Sequence, residues 1–542
     1  MKYFGTIAGP SDLFNLETTP AEGIYGMTVF VRRFITNLLR HSDFDELHFF
    51  YSGSVDGLPE SPSMLSSDPR VRLIPVDQFG LETSRTDYHV FHNPWSPDIG
   101  PWTDLRNRLV AGNVPVTGVT HTVSYQSFLP RVLGTMLLGA QPWDSIICTS
   151  ASARIAMQRW IEYLQEKFRD QFAVKIRFEP RLDKIPLGVD TDLFRPGERA
   201  ELRARLGLPQ NEVLALYFGR FSNYDKMDLF PLLLAFESAV EQSAVPAALV
   251  LAGSDGPHKY SRRVRELARQ LGIADRVIIR TDIADADVPA FYAAADFFVS
   301  PSDNIQETFG QSIIEAMSSG LPVICSDWDG YKELVANEET GLRVRTWWTD
   351  CNGSVCDHAG VSDWLTDHFQ ISQSVAVDVP ALTHAIRFMV MNEVSRHRWG
   401  EQARRNAQRD YDWRPVIRQY GELWRDLRRE ADTAPPPVPM KSTWFRPDLF
   451  ATFRHYPSAI VGPESKVLPG QRGRLQMHSG LLRNYRLEVF DCILDRVDVG
   501  QCVGELEAKV ASAIKVSPEV FRRHLLWLVK YGHVCLDQGD DA

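Results

Sequence analysis

The sequence has no uninterrupted apolar run long enough to span a bilayer, and its opening MKYFGTIAGPSDLFNL lacks the long apolar core of a secretion signal. Both absences predict a cytoplasmic protein, with contact at the inner face of a membrane as the only membrane association left open. Cysteine is scarce: seven residues, odd in number and scattered, with no regular disulfide framework, as suits a reducing compartment. Cys351, Cys356 and His358 cluster, but three ligands on a surface loop fall short of a closed structural zinc site, and a non-metal role is expected. Positive charge is in deficit, the net formal charge being −10, which argues against a general nucleic-acid binder. The strand ends are read as free of an aspartate dyad or D-x-D metal motif, so no divalent cation is expected. No carboxylate announces itself as a nucleophile.

What is present is a globular composition, 44% hydrophobic and 24% charged, over 542 residues, enough for two to four domains with cores of their own. Short apolar strands at 46–51, 72–75, 88–92, 116–120 and 145–149 alternate with helical stretches such as 29–40 and 151–167. A second series runs through 214–219, 248–253, 276–280, 297–300 and 322–325. Strands separated by helices imply an α/β architecture of parallel, doubly wound sheets, here two in tandem. Ligands in such sheets sit beyond the carboxyl ends of the strands. The helix 29–40 is basic and apolar, so it either rests on anionic lipid or is a core helix with a solvated face.

The stretch SPSDNIQETFGQSIIEAMSSGLPVICSDWDGYKELVANEETGLRV, residues 300–344, is the most informative. Glu307 and Glu315 stand around a Phe309-Gly310 break, after which the apolar spacing starts a helix. Gly310 permits a tight turn, and the free N–H groups of Gly310, Gln311 and Ser312 at the helix start suit phosphate. Carboxylates accept hydrogen bonds from sugar and ribose hydroxyls. Phosphate donors flanked by two hydroxyl acceptors suit a sugar nucleotide. Upstream, Phe218-Gly219-Arg220 and Lys226 offer a guanidinium fork and a point charge, the pair suited to a pyrophosphate.

This E-x7-E frame resembles the retaining family-four glycosyltransferases of the GT-B fold, and the resemblance extends over roughly residues 1–430. IPLGVDTDLFRP at 185–196 resembles the family's interdomain junction. Tyr411-Asp-Trp-Arg414 and the helix after it resemble the terminal helix that crosses back to the first domain. The resemblance implies a Rossmann-like acceptor-side domain at 1–195, a nucleotide-sugar-binding domain at 196–410 and the crossing helix at 411–432. It implies Glu307 on the transferred sugar, Glu315 on the ribose, and Arg220 and Lys226 on the diphosphate. His121, ending the strand 116–120, would face the donor sugar. Gly23 and Gly26 would form the first domain's glycine loop, and the region near Ile283 would pack the base. The implied activity is transfer of a hexosyl group from a UDP- or GDP-sugar, a substrate rather than a cofactor, to a glycan, lipid-linked or peptide acceptor. Retention and independence of metal are implied too. The competing readings are a GT-B epimerase or phosphorylase, which the complete frame disfavours, and a catalytically inactive sensor. Residues 346–379, with Trp347-Trp348, read as an inserted loop.

Ala434-Pro-Pro-Pro-Val-Pro439 lies in a stiff linker, 433–440. Beyond it, 441–542 ends in helices at 499–514 and 519–531, with Ser517-Pro518 as cap and first turn, and a strand at 533–536. This order resembles a winged helix of the PqqD type and suggests protein or peptide docking, or recruitment of a peptide acceptor. Arg522, Arg523 and His524 form one short basic triplet, too few charges for nucleic acid.

Overall fold

The computed structural model describes residues 1–9, 26–51, 65, 67–256, 258–281, 283–355, 357, 361–435, 447–471 and 485–536. Gly23, Cys356, His358 and most of the proline linker lie outside the described residues. The chain divides into two compact units, one of 1–53 with 58–441 and one of 54–57 with 442–542.

The first unit holds two parallel sheets. One contains β1 (Tyr3–Ala8), β2 (Glu46–Tyr51), β3 (Val71–Pro75), β4 (Tyr88–Asn93), β5 (Val116–Val119), β6 (Ser145–Cys148) and β7 (Arg181–Lys184), in the order β3-β2-β1-β4-β5-β6-β7. The other contains β8 (Val213–Phe218), β9 (Ala247–Gly253), β10 (Val277–Thr281), β11 (Phe297–Ser300), β12 (Val323–Ser326) and β13 (Gly341–Val344), in the order β10-β9-β8-β11-β12-β13. Helices cover both faces, so the strands are apolar without alternation; every residue of β9, β11 and β12 is buried. The strand β1 and the edge strands β7 and β13 escaped sequence reading; β7 is the polar Arg-Leu-Asp-Lys. The order reverses between β8 and β11, so the loops leaving those two strands diverge from one point. That topology makes the cleft.

The Gly26–His41 helix buries Phe30, Val31, Phe34, Ile35, Leu38 and Leu39. Its apolar face is therefore core, and the alternative of resting that face on lipid is set aside. No described helix is long and apolar enough to cross a membrane. The Trp413–Thr433 helix starts at Asp412, whose carboxylate caps the Arg414 N–H at 2.9 Å. Its Trp413, Val416, Tyr420 and Trp424 enter the core of the first sheet beside Phe4 and Phe34, and Trp424 Nε1 donates to Thr117 Oγ1 at 3.1 Å. One long amphipathic helix thus clamps the last part of the first unit onto its beginning.

Residues 346–379 are more than a loop. β14 (Thr346–Trp348) pairs antiparallel with β15 (Val375–Val377), and the Trp364–Ser372 helix lies between them. Asp363 caps that helix by accepting from the Thr366 N–H at 3.0 Å.

In the second unit β16 (Lys466–Pro469), β17 (Gln501–Cys502) and β18 (Val534–Leu536) form a sheet in the order β17-β16-β18. It packs with helices Leu487–Leu494, Val503–Ala513 and Pro518–Lys530 around Val467, Phe490, Leu506, Phe521 and Leu525. The helix expected from 499 begins only at Val503, because Gly500 takes φ +75° and the next two residues pair with β16. Ser517 and Pro518 cap and open the last helix as expected. His524 is fully buried. Its Nδ1 donates to the Val520 carbonyl at 2.7 Å and its Nε2 accepts from the Arg486 N–H at 2.9 Å. Burial lowers its pKa, so the supposed basic triplet is two arginines and a neutral core histidine. Because each unit has its own core, a chain ended at Lys441 should stay soluble and keep the first unit's thermal transition. Insolubility of that protein would place part of the 442–542 unit within the first unit's fold.

Candidate active site

Two strand ends build the site. β8 delivers Arg220 two residues after Phe218, and β11 delivers the 301–310 loop beside it. Arg220 donates to Asp225 Oδ2 at 2.7 Å and reaches Gln306 Oε1 at 3.4 Å. Lys226 Nζ meets Glu307 Oε2 at 2.6 Å, the side chains being only 19% and 12% exposed. Glu307 Oε1 also accepts the N–H groups of Thr308 and Phe309, both at 3.3 Å. Burial raises the Glu307 pKa, but the Lys226 charge and hydrogen bond, with the two backbone donors, bring it below the usual carboxylate range. Glu307 is therefore held as a carboxylate against Lys226.

Gly310 follows with φ +114°, and a Cβ there would stand 2.8 Å from the Tyr331 ring, so neither backbone nor space admits a side chain. This turn aims the start of the Gln311–Ser318 helix into the same cleft as Lys226. Its first N–H groups have no carbonyl within the helix to bond. Phe309 is buried in the second core, so it contributes packing and its N–H rather than a side-chain surface.

Glu315 lies one turn into that helix, 6% exposed. It accepts from Arg33 at 2.6 Å, Tyr292 Oη at 2.9 Å and Gln311 Nε2 at 3.4 Å. Arg33 comes from the Gly26–His41 helix and also sits 5.1 Å over the Phe194 ring. A neighbouring pair, Arg32 with Asp285 at 3.0 Å, joins the same halves. Ile283, like Phe218, packs at the rim of the core that contains Tyr292.

His121, just past β5, enters from the opposite sheet. Its Nε2–H donates to the Pro94 carbonyl at 2.8 Å, and its ring meets Phe30 edge-on at 5.1 Å. Burial lowers its pKa to about 4, so the imidazole is neutral at pH 7 and Nδ1 carries the lone pair. The His121 carbonyl accepts from Thr308 Oγ1 at 2.7 Å, which ties the histidine to the residue after Glu307. Gly26 opens its helix with nothing within 4 Å of where a Cβ would stand. No close approach there requires glycine.

Thus Arg220, Lys226, Glu307 and the start of the Gln311–Ser318 helix converge, with Glu315 deeper along the helix, and His121 joins them through its carbonyl on Thr308. Arg33 and Tyr292 were missed because each reaches the site from a distant segment; Gln306 and Tyr331 were missed although both lie within the 300–344 stretch. Asp225 had a readable signal in its five-residue spacing from Arg220.

One expectation needs correction. Asp327-Trp328-Asp329 directly follows β12, so a D-x-D pattern does occupy a strand end. Asp327 pairs with Arg343 at 3.4 Å. Burial, and after it the Glu307 charge, push the Asp329 pKa well above the carboxylate range. Among the described residues no three acidic, histidine or cysteine side chains cluster as a metal site.

Residues 198–347 match the family model for glycosyl transferases group 1. D-inositol 3-phosphate glycosyltransferase of Segniliparus rotundus is 32% identical over 167 residues, covering 31% of this chain and 36% of that protein. The GDP-mannose-dependent alpha-(1-6)-phosphatidylinositol monomannoside mannosyltransferase of Mycobacterium tuberculosis is 32% identical over 191 residues, covering 34% of this chain and 48% of its own. The chain thus spans less than half the length of these curated relatives. In three dimensions, sucrose-phosphate synthase of Thermosynechococcus elongatus superposes with a TM-score of 0.52 at 22% identity, covering 79% of this chain and 99% of that one. Anabaena HepE, solved with UDP, gives 0.51 at 16% identity, covering 78% and 99%. A local sequence match over the second sheet and a likeness of fold over both sheets meet on one segment: residues 198–347 resemble the group 1 glycosyl transferases, within a chain of GT-B fold.

Proposed function

We propose that the protein transfers a hexosyl group from a UDP- or GDP-sugar to a hydroxyl of a glycan, lipid-linked or peptide acceptor. The observation that carries this is the Lys226–Glu307 ion pair set at the start of the Gln311–Ser318 helix, with Arg220 one side chain away through Gln306. A departing diphosphate gains negative charge as its bond to the anomeric carbon breaks. Arg220, Lys226 and the helix N–H groups supply preorganised positive charge for it, so the reaction requires no metal.

With a donor in place, the Glu307 carboxylate faces sugar hydroxyls while Lys226 turns to phosphate, and Glu315 accepts from the ribose. The Arg33 contact on Glu315 must then be shared or given up. Neutral His121 offers Nδ1 to a hydroxyl of the transferred sugar. The sequence announces no carboxylate as nucleophile, which favours front-face attack with retention. The acceptor oxygen forms its bond to the anomeric carbon as the phosphate oxygen leaves, and that oxygen takes the acceptor's proton. A relative dependent on GDP-mannose and a structural neighbour solved with UDP leave both bases open.

The test is a thermal-shift screen of the full chain against UDP-glucose, UDP-N-acetylglucosamine and GDP-mannose, followed by an assay for released UDP or GDP. A ligand at a hundred times its dissociation constant adds about 2.7 kcal/mol of stability. One donor should shift the transition and be turned over. A shift without release would make the protein a sensor, and no shift with any donor would refute nucleotide-sugar binding.

A further inference from the structure

The group 1 match ends at residue 347, yet the segment beyond it reaches back to the site. Residues 121–126, between β5 and the Phe128–Leu137 helix, begin with His121. The 306–308 loop holds this stretch on one side. Thr308 Oγ1 donates to the His121 carbonyl at 2.7 Å, and Gln306 Nε2 donates to Tyr125 Oη at 3.2 Å. The inserted Trp364–Ser372 helix and the residue pair before it hold the other side. Gln126 Nε2 donates to Asp367 Oδ2 at 2.5 Å and to the Ser362 carbonyl at 3.2 Å, while Ser362 Oγ donates to Asp367 Oδ1. His368 Nε2–H donates to the Ser124 carbonyl at 3.2 Å. The Tyr125 ring meets Trp364 edge-on at 4.7 Å and lies nearly parallel to His368 at 5.8 Å.

The inserted helix's two side chains are enclosed, while Gln126 is exposed. Asp367 is 8% exposed and His368 2% exposed. Buried hydrogen bonds of this kind fix geometry, because breaking one strands a desolvated partner. Residues 121–126 have no strand or helix of their own, so side-chain contacts set their position: these two flanking elements on one side, and on the other Trp160 Nε1, which donates to the Val123 carbonyl at 2.9 Å, with the Pro94 carbonyl on His121. A stretch that carries a reacting-site histidine and is held by two segments of the second half, 306–308 and 362–368, cannot drift without moving that histidine relative to Glu307.

We propose that Asp367 and His368 are positioning residues: the inserted helix is a strap that holds the 121–126 stretch, and through it His121, in register with Glu307. This rests on the transferase reading for its catalytic consequence, and on the contacts alone for its structural one.

Two readouts on the full chain separate these. Asp367→Ala should raise amide hydrogen exchange in 121–127 while the rest of the chain keeps its protection. It should also lower turnover of the screened donor about ten-fold or more, as ångström-scale misplacement does, with the affinity for UDP or GDP unchanged. Asp367→Asn keeps an oxygen for Gln126 and should restore turnover to within about three-fold of the original. At 368, glutamine places its amide nitrogen where the ring Nε2 stood, whereas asparagine mimics Nδ1. His368→Gln should therefore preserve exchange and turnover, and His368→Asn should not. Unchanged exchange in Asp367→Ala and His368→Asn would overturn the strap. So would conservative variants that loosen 121–127 as much as the disruptive ones. If the unaltered chain turns over no donor, the transferase reading fails, and the exchange pattern still decides the strap.

Discussion

Replacing Lys226 with alanine is expected to lower transfer turnover by about 10²–10³-fold, the usual loss when one preorganised charge-stabilising donor is removed. Arg220→Ala should fall in the same range. Lys226 Nζ is 2.6 Å from Glu307, in a pocket where both side chains are largely enclosed. Its charge is therefore little screened by solvent and acts fully on a developing anion. The same enclosure complicates the simple variant, because removing one member of a buried pair leaves the other uncompensated. Without Lys226, burial is the dominant influence on Glu307, and its carboxyl shifts toward protonation. Lys226→Met/Glu307→Gln removes both charges together and isolates the stability effect. The double variant should melt close to the original protein and still fail to turn over. Nucleotide release by Lys226→Ala within a few-fold of the original would remove Lys226 from the diphosphate clamp.

The two glutamates should fail differently. Glu315→Ala should weaken binding of free UDP or GDP by roughly ten- to a hundred-fold, the worth of a hydrogen bond to a charged acceptor. Glu307→Ala should leave free nucleotide affinity within about three-fold and lower turnover by about 10²-fold, since its partner is the sugar that a bare nucleotide lacks. Calorimetry with the bare nucleotide distinguishes the two directly, and equal losses in both variants would reject this division of labour. The Arg33–Glu315 pair supplies a control. If the Glu315 effect came from the lost contact between the two halves, Arg33→Met would weaken binding equally. If Glu315 holds the ribose, Arg33→Met leaves the carboxylate available and does not weaken binding.

Local features of the chain were legible because they depend on residues near one another. The strands 46–51 and 297–300 read directly, since continuous apolar runs between helices mean burial on both faces. The turn at Gly310, the helix that follows and the cap at Ser517 were equally plain. Errors arose where pairing across space overrode local pattern. Residues 346–379 looked like a loop until β14 and β15 paired, and the 499–514 helix lost its start to a two-residue strand. His524 looked exposed beside two arginines until the core closed over it.

By itself the sequence determined the two α/β halves, the E-x7-E frame and the identity of the charged groups at the strand ends, all consequences of spacing along the chain. Only the tertiary structure decided which groups meet. Lys226 and Glu307 are 81 residues apart, and Arg33 and Glu315 are 282 apart. The first pair meets because strand order reverses between β8 and β11. The second meets because one helix of the first sheet faces one helix of the second. Periodicity records which face of an element is buried, but not which other element it is buried against; that depends on the order of strands in the sheets and on where the closing helix lands.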